Sequence, residues 1–202
     1  MTLYAQVVLT LAAYLLGGVS FAYWLVRIKT GSDVREQGSG STGATNVGRI
    51  LGPRGFVIVL AFDIAKGALA VAAAVHWLNA PSACAAFVAT AVVIGHIWPI
   101  QLKFHGGKGI GPLIGAWLVL SPESLLPVLA LTILAFAILR TFTISGLIGL
   151  TLLPPSAWWF SEQDAVTASI ALLTLLIILY AHRDNILQFK QKIKPTHDAR
   201  HR

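Results

Sequence analysis

Seven long apolar stretches, separated by short polar breaks, make up most of this 202-residue sequence. They lie at about residues 3–26, 55–78, 83–102, 109–120, 124–140, 142–160 and 165–181. A helix needs about 20 apolar residues to cross a bilayer, and most of these stretches approach that length. Only 11% of the residues are charged, against about a quarter in soluble domains. We therefore predict an all-α integral membrane protein, with residues 1–202 forming a single polytopic domain of seven transmembrane helices.

The distribution of positive charge predicts how these helices are oriented. Lysines and arginines concentrate in the first polar loop, at about 27–54, and in the tail, at 182–202. The positive-inside rule puts both segments, together with the loop at 103–108, on the cytoplasmic side. Seven spans with the N-terminus outside and the C-terminus in the cytoplasm satisfy this rule for fourteen of the fifteen basic residues, Lys66 being the exception. The acidic Glu123, Glu162 and Asp164 then fall in the outer loops.

Composition also excludes several other classes of protein. The net charge of +7 would suit nucleic-acid binding, but the apolar content does not fit such a domain, so no nucleic-acid partner is expected. The single cysteine, Cys84, cannot form an internal disulfide. Residues 1–26 carry no charge, which indicates a retained first span rather than a cleaved signal peptide.

A Gly/Ser-rich segment at 38–49 is the most distinctive polar stretch. Small residues allow backbone N–H groups to turn toward an anion, hydroxyls add donors, and an arginine suits phosphate oxygens. The candidate site residues in this segment are Gly38, Ser39, Gly40, Gly43, Thr45, Asn46 and Arg49. A flexible linker is the competing interpretation, although a linker would not need Ala-Thr-Asn followed by Arg. The glycines also fit G-x-G-x-x-G, but a dinucleotide fold requires a preceding strand, and here a membrane helix precedes them.

A second glycine-rich segment, Gly106-Gly107-Lys108-Gly109, opens the fourth apolar stretch. Backbone N–H groups at a helix start attract anions, and Lys108 adds a full charge. A tight turn carrying one cytoplasmic lysine is an equally good interpretation of this segment alone. His96 is an uncertain candidate, because two histidines (His96 and His105) without a carboxylate or thiol cluster make a poor metal site. No metal is expected.

Polar side chains also occur at the ends of spans and within one of them. His182 and Asn185 are three residues apart at the end of the last span, so they would share a helix face. Ser145 lies just inside the sixth span. Asp63 and Lys66 lie within the second span, where charge is costly. Both are uncertain candidates for the site, since a structural ion pair explains them at least as well.

Taken together and in order, these segments resemble the bacterial acyl-phosphate:glycerol-3-phosphate acyltransferase family. The resemblance covers most of the chain, from the 38–49 segment to His182-Arg183…Asn185-Ile186. It implies transfer of a fatty acyl group from acyl phosphate to the 1-hydroxyl of glycerol 3-phosphate, giving lysophosphatidic acid and phosphate for phospholipid synthesis. It also implies a bacterial cytoplasmic (inner) membrane with the active site facing the cytoplasm. No cofactor and no obligatory protein partner are implied; membrane lipid surrounds the protein.

Two sets of site residues follow. The expected catalytic set is Ser39, Thr45, Asn46, Lys108, His182 and Asn185. The expected phosphate-binding set is Gly38, Gly40, Gly43, Arg49, Gly106, Gly107 and Ser145. Either His182 or a phosphate of the substrate would accept the proton of the hydroxyl group. Acyl phosphate is already activated, so positioning and charge neutralisation could suffice.

The chain departs from the family pattern at Ser41, Gln101, Gly111, Pro112, Gln188, Lys192 and Lys194. These departures leave open a divergent paralogue with a different acceptor or with no activity. A small membrane transporter is a further alternative. It predicts polar residues spread through the membrane depth and often an inverted repeat, whereas only Asp63 and Lys66 are charged within a span. A non-catalytic lipid-binding subunit would show no turnover.

Overall fold

A computed structural model describes residues 2–193 of the chain. Within that range the structure is helical, without a β-strand. Its α-helices are α1 (Leu3–Gly17), α2 (Phe21–Thr30), α3 (Ala44–Ala72), α4 (Ser82–Ile97), α5 (Ile110–Leu120), α6 (Leu125–Leu139), α7 (Phe142–Leu150), α8 (Leu153–Phe160), α9 (Ala165–Ala181) and α10 (Arg183–Ile193). Each of the seven apolar stretches contains helix, as predicted.

Two of the stretches that we predicted to be continuous are broken into pairs of helices. The first divides into α1 and α2. The sixth divides into α7 and α8, because Pro154 and Pro155 near the start of α8 lack the amide hydrogen that a continuing helix requires. Hydropathy does not report such breaks, since the residues on both sides are apolar.

The first polar loop is shorter than the predicted range of 27–54. Helix α2 continues to Thr30, and α3 already begins at Ala44. Helix α3 is itself interrupted at Gly52, whose φ of 76° lies in the left-handed region that glycine adopts readily. Its first part therefore carries Arg49 as a short separate helix, and the apolar part begins at Pro53.

Glycines bring the inner helices into backbone contact. A Cβ atom added at Gly67 of α3 would overlap the carbonyl of Pro112 in α5, and one at Gly115 would overlap the carbonyl of Ile64. Helices α1 and α4 meet in the same way, through Gly95 and the carbonyl of Tyr14. Small residues at helix contacts are typical of membrane bundles, in which close packing rather than the hydrophobic effect drives association.

The outer surface is apolar, as a bilayer requires. Helix α6 exposes Leu126, Leu129, Ile133 and Ile138. Within residues 2–193, four helical segments are long and apolar enough to cross a membrane: Leu3–Thr30, Ala44–Trp77, Ser82–Leu102 and Pro122–Leu139. Helices α9 and α10, bent by 63°, form a fifth candidate. Helix α5 has 11 residues, about 17 Å, so the number of seven crossings and the orientation of the termini stay predictions.

Candidate active site

The glycine-rich segment before α3 is closed by the side chain of Asn46. Its Oδ1 accepts the N–H of Ser39 at 2.8 Å, and its Nδ2 donates to the carbonyls of Gln37 at 2.9 Å and Val34 at 3.3 Å. Asn46 is buried, and a Cβ at Gly38 would overlap its Oδ1. The amide is thus occupied in shaping the loop, and a direct contact with a substrate would require it to give up one of these bonds.

A hydrogen bond from Arg35 links the chain just before this loop to the chain just before the second segment. Arg35 pairs with Asp33 at 2.6 Å and donates through Nη1 to the carbonyl of Leu102 at 3.0 Å. Hydrogen bonds from Arg35 hold the pKa of Asp33 below its ordinary value, against the opposing effect of its partial burial. Thr42 adds a backbone bond to the carbonyl of Gly106 at 3.2 Å. The two glycine-rich segments are therefore joined by one backbone bond, and the residues just before them by the bond from Arg35 to Leu102.

Lys108 joins the second glycine-rich segment to the third polar segment, residues 182–186 at the end of the last span. Its ammonium donates to Oδ1 of Asn185, near the start of α10. Desolvation lowers the pKa of Lys108 from its ordinary value; Asp184 opposes this effect, and the positive charges of Arg49 and Arg183 add to it. The structure thus brings all three predicted segments together, with two cationic side chains close enough to influence each other.

His182 is buried at the junction of α9 and α10, and its Nδ1 lies 2.9 Å from the carbonyl of Ile178. We predicted that His182 and Asn185 share one face at the end of the last span, but the two residues do not lie on one continuous helix. Helix α9 ends at Ala181, and His182 instead precedes the first turn of α10, with its carbonyl accepting the N–H of Ile186. Of the two residues, Asn185 is the one that contacts Lys108.

The remaining candidates differ in exposure. Ser39, Thr45 and Arg49 are exposed, and the last two lie one turn apart on the first part of α3. Ser145 is fully buried in α7, and among the described residues it is the only one with a buried side-chain oxygen that lacks a hydrogen-bond partner. A buried hydroxyl usually has a partner, so Ser145 stays a candidate for contact with a bound molecule.

The intramembrane charges form a buried cluster with His96. Lys66 Nζ lies 2.9 Å from Asp63 Oδ1 and 2.8 Å from His96 Nδ1, and it donates to the carbonyl of Val19 at 3.1 Å. The predicted Asp63–Lys66 pair is therefore present, and His96 belongs to it. His105 is exposed and apart from this cluster. Within residues 2–193, no three His, Cys, Asp or Glu side chains lie close enough to hold a metal ion.

Several departures from the family pattern have structural roles here. Ser41 Oγ accepts the N–H of Gly43 at 3.3 Å, and Gln101 donates to the carbonyl of Leu15 at 3.3 Å. A Cβ at Gly111 would crowd the Cβ of Asp63. Two further departures, Gln188 and Lys192, are exposed on α10, Pro112 is buried in α5, and Lys194 lies outside the described residues.

An apolar groove lies beside these polar groups. It measures about 620 Å³ and runs between α7, α9 and α10. The residues that line it are Ile144, Leu147, Ile148, Thr151, Leu179, Ile186, Phe189, Lys190 and Ile193. Ile144 adjoins Ser145, and Ile186 adjoins Asn185. Pockets of this size accommodate small apolar molecules.

Sequence reasoning missed the residues that act through backbone atoms. Thr42, Leu102 and Val19 each contribute an N–H or a carbonyl to the contacts described above. Every residue type carries a carbonyl, and all but proline carry an N–H. No side-chain pattern therefore signals these positions.

The fold and the site together define an all-helical integral membrane protein with a polar, cation-bearing pocket that adjoins an apolar groove. Comparison with known proteins makes this class specific. The family model described as glycerol-3-phosphate acyltransferase matches residues 7–192. The chain therefore belongs to the glycerol-3-phosphate acyltransferase family, and it is an acyltransferase.

Individual relatives agree with this assignment. Glycerol-3-phosphate acyltransferase 1 of Desulfitobacterium hafniense is 42% identical over 90% of this chain and 89% of its own length. The enzyme of Myxococcus xanthus is 38% identical over 91% and 95%. Crystal structures of PlsY, an integral membrane glycerol 3-phosphate acyltransferase, superpose with TM-scores of 0.84 in its glycerol 3-phosphate form and 0.82 in its lysophosphatidic acid form. They are 29% and 27% identical to this chain and cover 93% of both chains.

Proposed function

We propose that this protein transfers a fatty acyl group from acyl phosphate to the 1-hydroxyl of glycerol 3-phosphate, giving lysophosphatidic acid and inorganic phosphate. The observation that carries the proposal is the meeting of three polar segments, through Thr42–Gly106 and Lys108–Asn185, beside an apolar groove. A pocket for phosphate groups next to a groove for an acyl chain is what these two substrates require.

The phosphate groups bind to the cationic part of the pocket. Arg49 offers a planar fork to phosphate oxygens, and Lys108 adds a point charge. The exposed hydroxyls of Ser39 and Thr45 donate beside them, and backbone N–H groups of Gly38, Gly40, Gly43, Gly106 and Gly107 assist. Asn46 keeps the first loop in shape, while Asn185 orients Lys108 toward the pocket.

The acyl chain lies in the groove between α7, α9 and α10. Its lining is almost entirely apolar, and Ser145 and His182 stand on two of the same helices or at their ends. The carbonyl end of such a chain lies beside Ile144, the residue before Ser145, whose buried hydroxyl does not itself line the groove. We expect that hydroxyl to donate to the carbonyl or phosphate oxygens of the bound donor.

The reaction is one acyl transfer. The oxygen of the 1-hydroxyl attacks the acyl carbonyl carbon and forms the new ester bond. The bond from that carbon to the phosphate oxygen breaks, and phosphate leaves with the electron pair. The hydroxyl proton passes to a phosphate oxygen, or to His182 if that residue acts as general base. Replacement of His182 by Ala separates the two routes, because near-normal kcat with a raised KM excludes His182 as the base.

The active site faces the cytoplasm of a bacterial cytoplasmic membrane, with seven crossings and the N-terminus outside. The convergence of the three segments supports this arrangement, since the stretches that contain them, at 27–54, 103–108 and 182–202, hold most of the basic residues, which the cytoplasmic side favours. The bilayer supplies the apolar surroundings that the acyl chain needs, so no separate protein partner is required.

The test of the proposal is product formation by the purified protein in lipid nanodiscs. With palmitoyl phosphate and glycerol 3-phosphate we expect lysophosphatidic acid and phosphate in equal amounts. Turnover with palmitoyl-coenzyme A but not with palmitoyl phosphate would show that acyl phosphate is not the donor. Turnover with another alcohol but not with glycerol 3-phosphate would overturn the acceptor and favour a divergent paralogue.

Two substitutions test the site separately from the activity. Arg49→Ala and Lys108→Ala should each lower kcat/KM by about 100-fold, since each removes a charge-assisted contact to phosphate. Arg54→Ala is the matched control, because Arg54 is an exposed arginine beyond the break in the same helix. Full activity in Arg49→Ala or Lys108→Ala would remove that residue from the site while sparing the fold.

A further inference from the structure

The buried cluster of Asp63, Lys66 and His96 has no part in the acyl transfer described above. All three side chains are buried between α3, α4 and the break that separates α1 from α2. Charged groups within a membrane span are costly and usually serve a function. The question is what this cluster does so close to the second glycine-rich segment.

The contacts of Lys66 and Asp63 hold the histidine ring in place. Three polar atoms lie within hydrogen-bond distance of Lys66 Nζ: Asp63 Oδ1, the carbonyl of Val19 and His96 Nδ1. His96 Nδ1 also lies 3.4 Å from Asp63 Oδ1. A lysine ammonium donates and cannot accept, so its bond to His96 requires the tautomer with the proton on Nε2. The Nδ1 edge of the ring is thus held in position by both charged residues.

The other edge of the same ring faces the second glycine-rich segment. A Cβ added at Gly107 would overlap His96 Nε2, so only a glycine leaves room for the ring. The backbone of His96 also accepts the N–H of Gly107 at 3.0 Å, and Ile97 accepts that of Gly106 at 3.1 Å. His96 therefore holds Gly107 by its carbonyl and by its ring, immediately before Lys108.

We propose that Asp63, Lys66 and His96 act together as a positioning device for the loop that carries Lys108. None of the three touches substrate. Lys66 and Asp63 lock the His96 ring, the ring sets the path of Gly107, and that path directs the Lys108 ammonium to Asn185 and the phosphate pocket. This inference rests on the proposed function in one respect, because its effect is measured as phosphate binding by Lys108.

A double-mutant cycle tests the contact between the ring and the loop. His96→Asn keeps an oxygen acceptor near the position of Nδ1, so Lys66 retains its three partners, but it removes the edge that faces Gly107. Gly107 lies outside the left-handed region, and the three atoms nearest to an added Cβ all belong to the His96 ring. In the wild-type background Gly107→Ala should raise KM for glycerol 3-phosphate about tenfold, and in the His96→Asn background less than about threefold. If Gly107→Ala raises KM by the same factor in both backgrounds, the proposal is wrong.

A second variant asks whether the cluster positions the loop or only stabilises the fold. Lys66→Met releases the ring, and we expect a KM raised about tenfold with kcat within about twofold. The control is Thr90→Val, which removes a buried 2.7 Å hydrogen bond to Thr174 between α4 and α9. The control should lower the thermal midpoint without changing KM. Should Lys66→Met behave in the same way, the cluster would be purely structural and the inference wrong.

Failure of the proposed function can be told apart from failure of this inference. If the wild type gives no lysophosphatidic acid, the acyl transfer proposal fails. The same variants are then compared by isothermal titration with inorganic phosphate, which needs no turnover. Weaker phosphate binding in Lys66→Met but not in Thr90→Val supports positioning, and unchanged binding in both overturns it.

Discussion

The side-chain amide of Asn46 makes three hydrogen bonds within the loop that it closes. Asn46→Asp keeps the size of the side chain but replaces Nδ2, which donates to the carbonyls of Gln37 and Val34, by an oxygen that faces them. Loss of these buried bonds should destabilise the loop by about 1–3 kcal/mol. We expect a lower thermal midpoint together with a raised KM for glycerol 3-phosphate. A reduced kcat with unchanged stability and KM would instead support a direct catalytic role.

We expect Lys108 to make the activity depend on pH. Since burial lowers the pKa of its ammonium, the positive charge is lost at a lower pH than for a free lysine. Phosphate binding should therefore weaken as pH rises through this lowered pKa. We expect kcat/KM to fall on the alkaline side and expect Lys108→Arg, which stays charged, to move that fall to higher pH. An unchanged alkaline limb in Lys108→Arg would assign it to another group.

At the scale of single residues, the sequence predicted one contact between candidate side chains but not all of them. Arg49, Lys108 and Asn185 stand in patterns suited to anions, and the structure brings Lys108 and Asn185 into contact. The partnership of His96 with Lys66 was not predictable, because these residues are 30 positions apart and spacing along a chain does not report contacts between helices. The roles of Arg49, Lys108 and Asn185 in binding and catalysis stay predictions.

Among the helices, hydropathy identified where each lies but not where it breaks. All seven apolar stretches contain helix, yet α1 and α2 separate at 18–20, and α7 and α8 at 151–152. The first break exposes the carbonyl of Val19, which Lys66 then uses. A break that is stabilised by a distant lysine depends on tertiary structure, so a local sequence pattern cannot reveal it.

The crossing of α3 and α5 depends on the absence of side chains. Gly67→Ala would force a Cβ into the carbonyl of Pro112 and should prevent correct packing. We expect a sharp loss of monodisperse protein in gel filtration after detergent extraction. Gly146→Ala in α7 is the matched control, because a Cβ there meets nothing within 4 Å. Equal yields from the two variants would show that α3 and α5 can move apart enough to accommodate the added Cβ.

The orientation of the whole molecule can be tested with single cysteines. Cys84, the only cysteine, is replaced by Ala, and one cysteine is introduced at Glu36, Gln188, Glu123 or Glu162, all of them exposed. In intact cells a membrane-impermeant maleimide should label only the variants at Glu123 and Glu162. Labelling of Glu36→Cys but not of Gln188→Cys would put the first and third segments on opposite sides of the bilayer.

Helices that touch through backbone atoms leave little freedom for change on their inner faces. Any side chain at Gly67, Gly95 or Gly115 would meet a carbonyl, while the outer face of α6 meets only hydrocarbon and accepts many apolar residues. Mutational drift should therefore accumulate on the lipid-facing side. We expect the differences from a solved relative that is 29% identical, and that keeps nearly the same shape with a TM-score of 0.84, to lie mainly on that side.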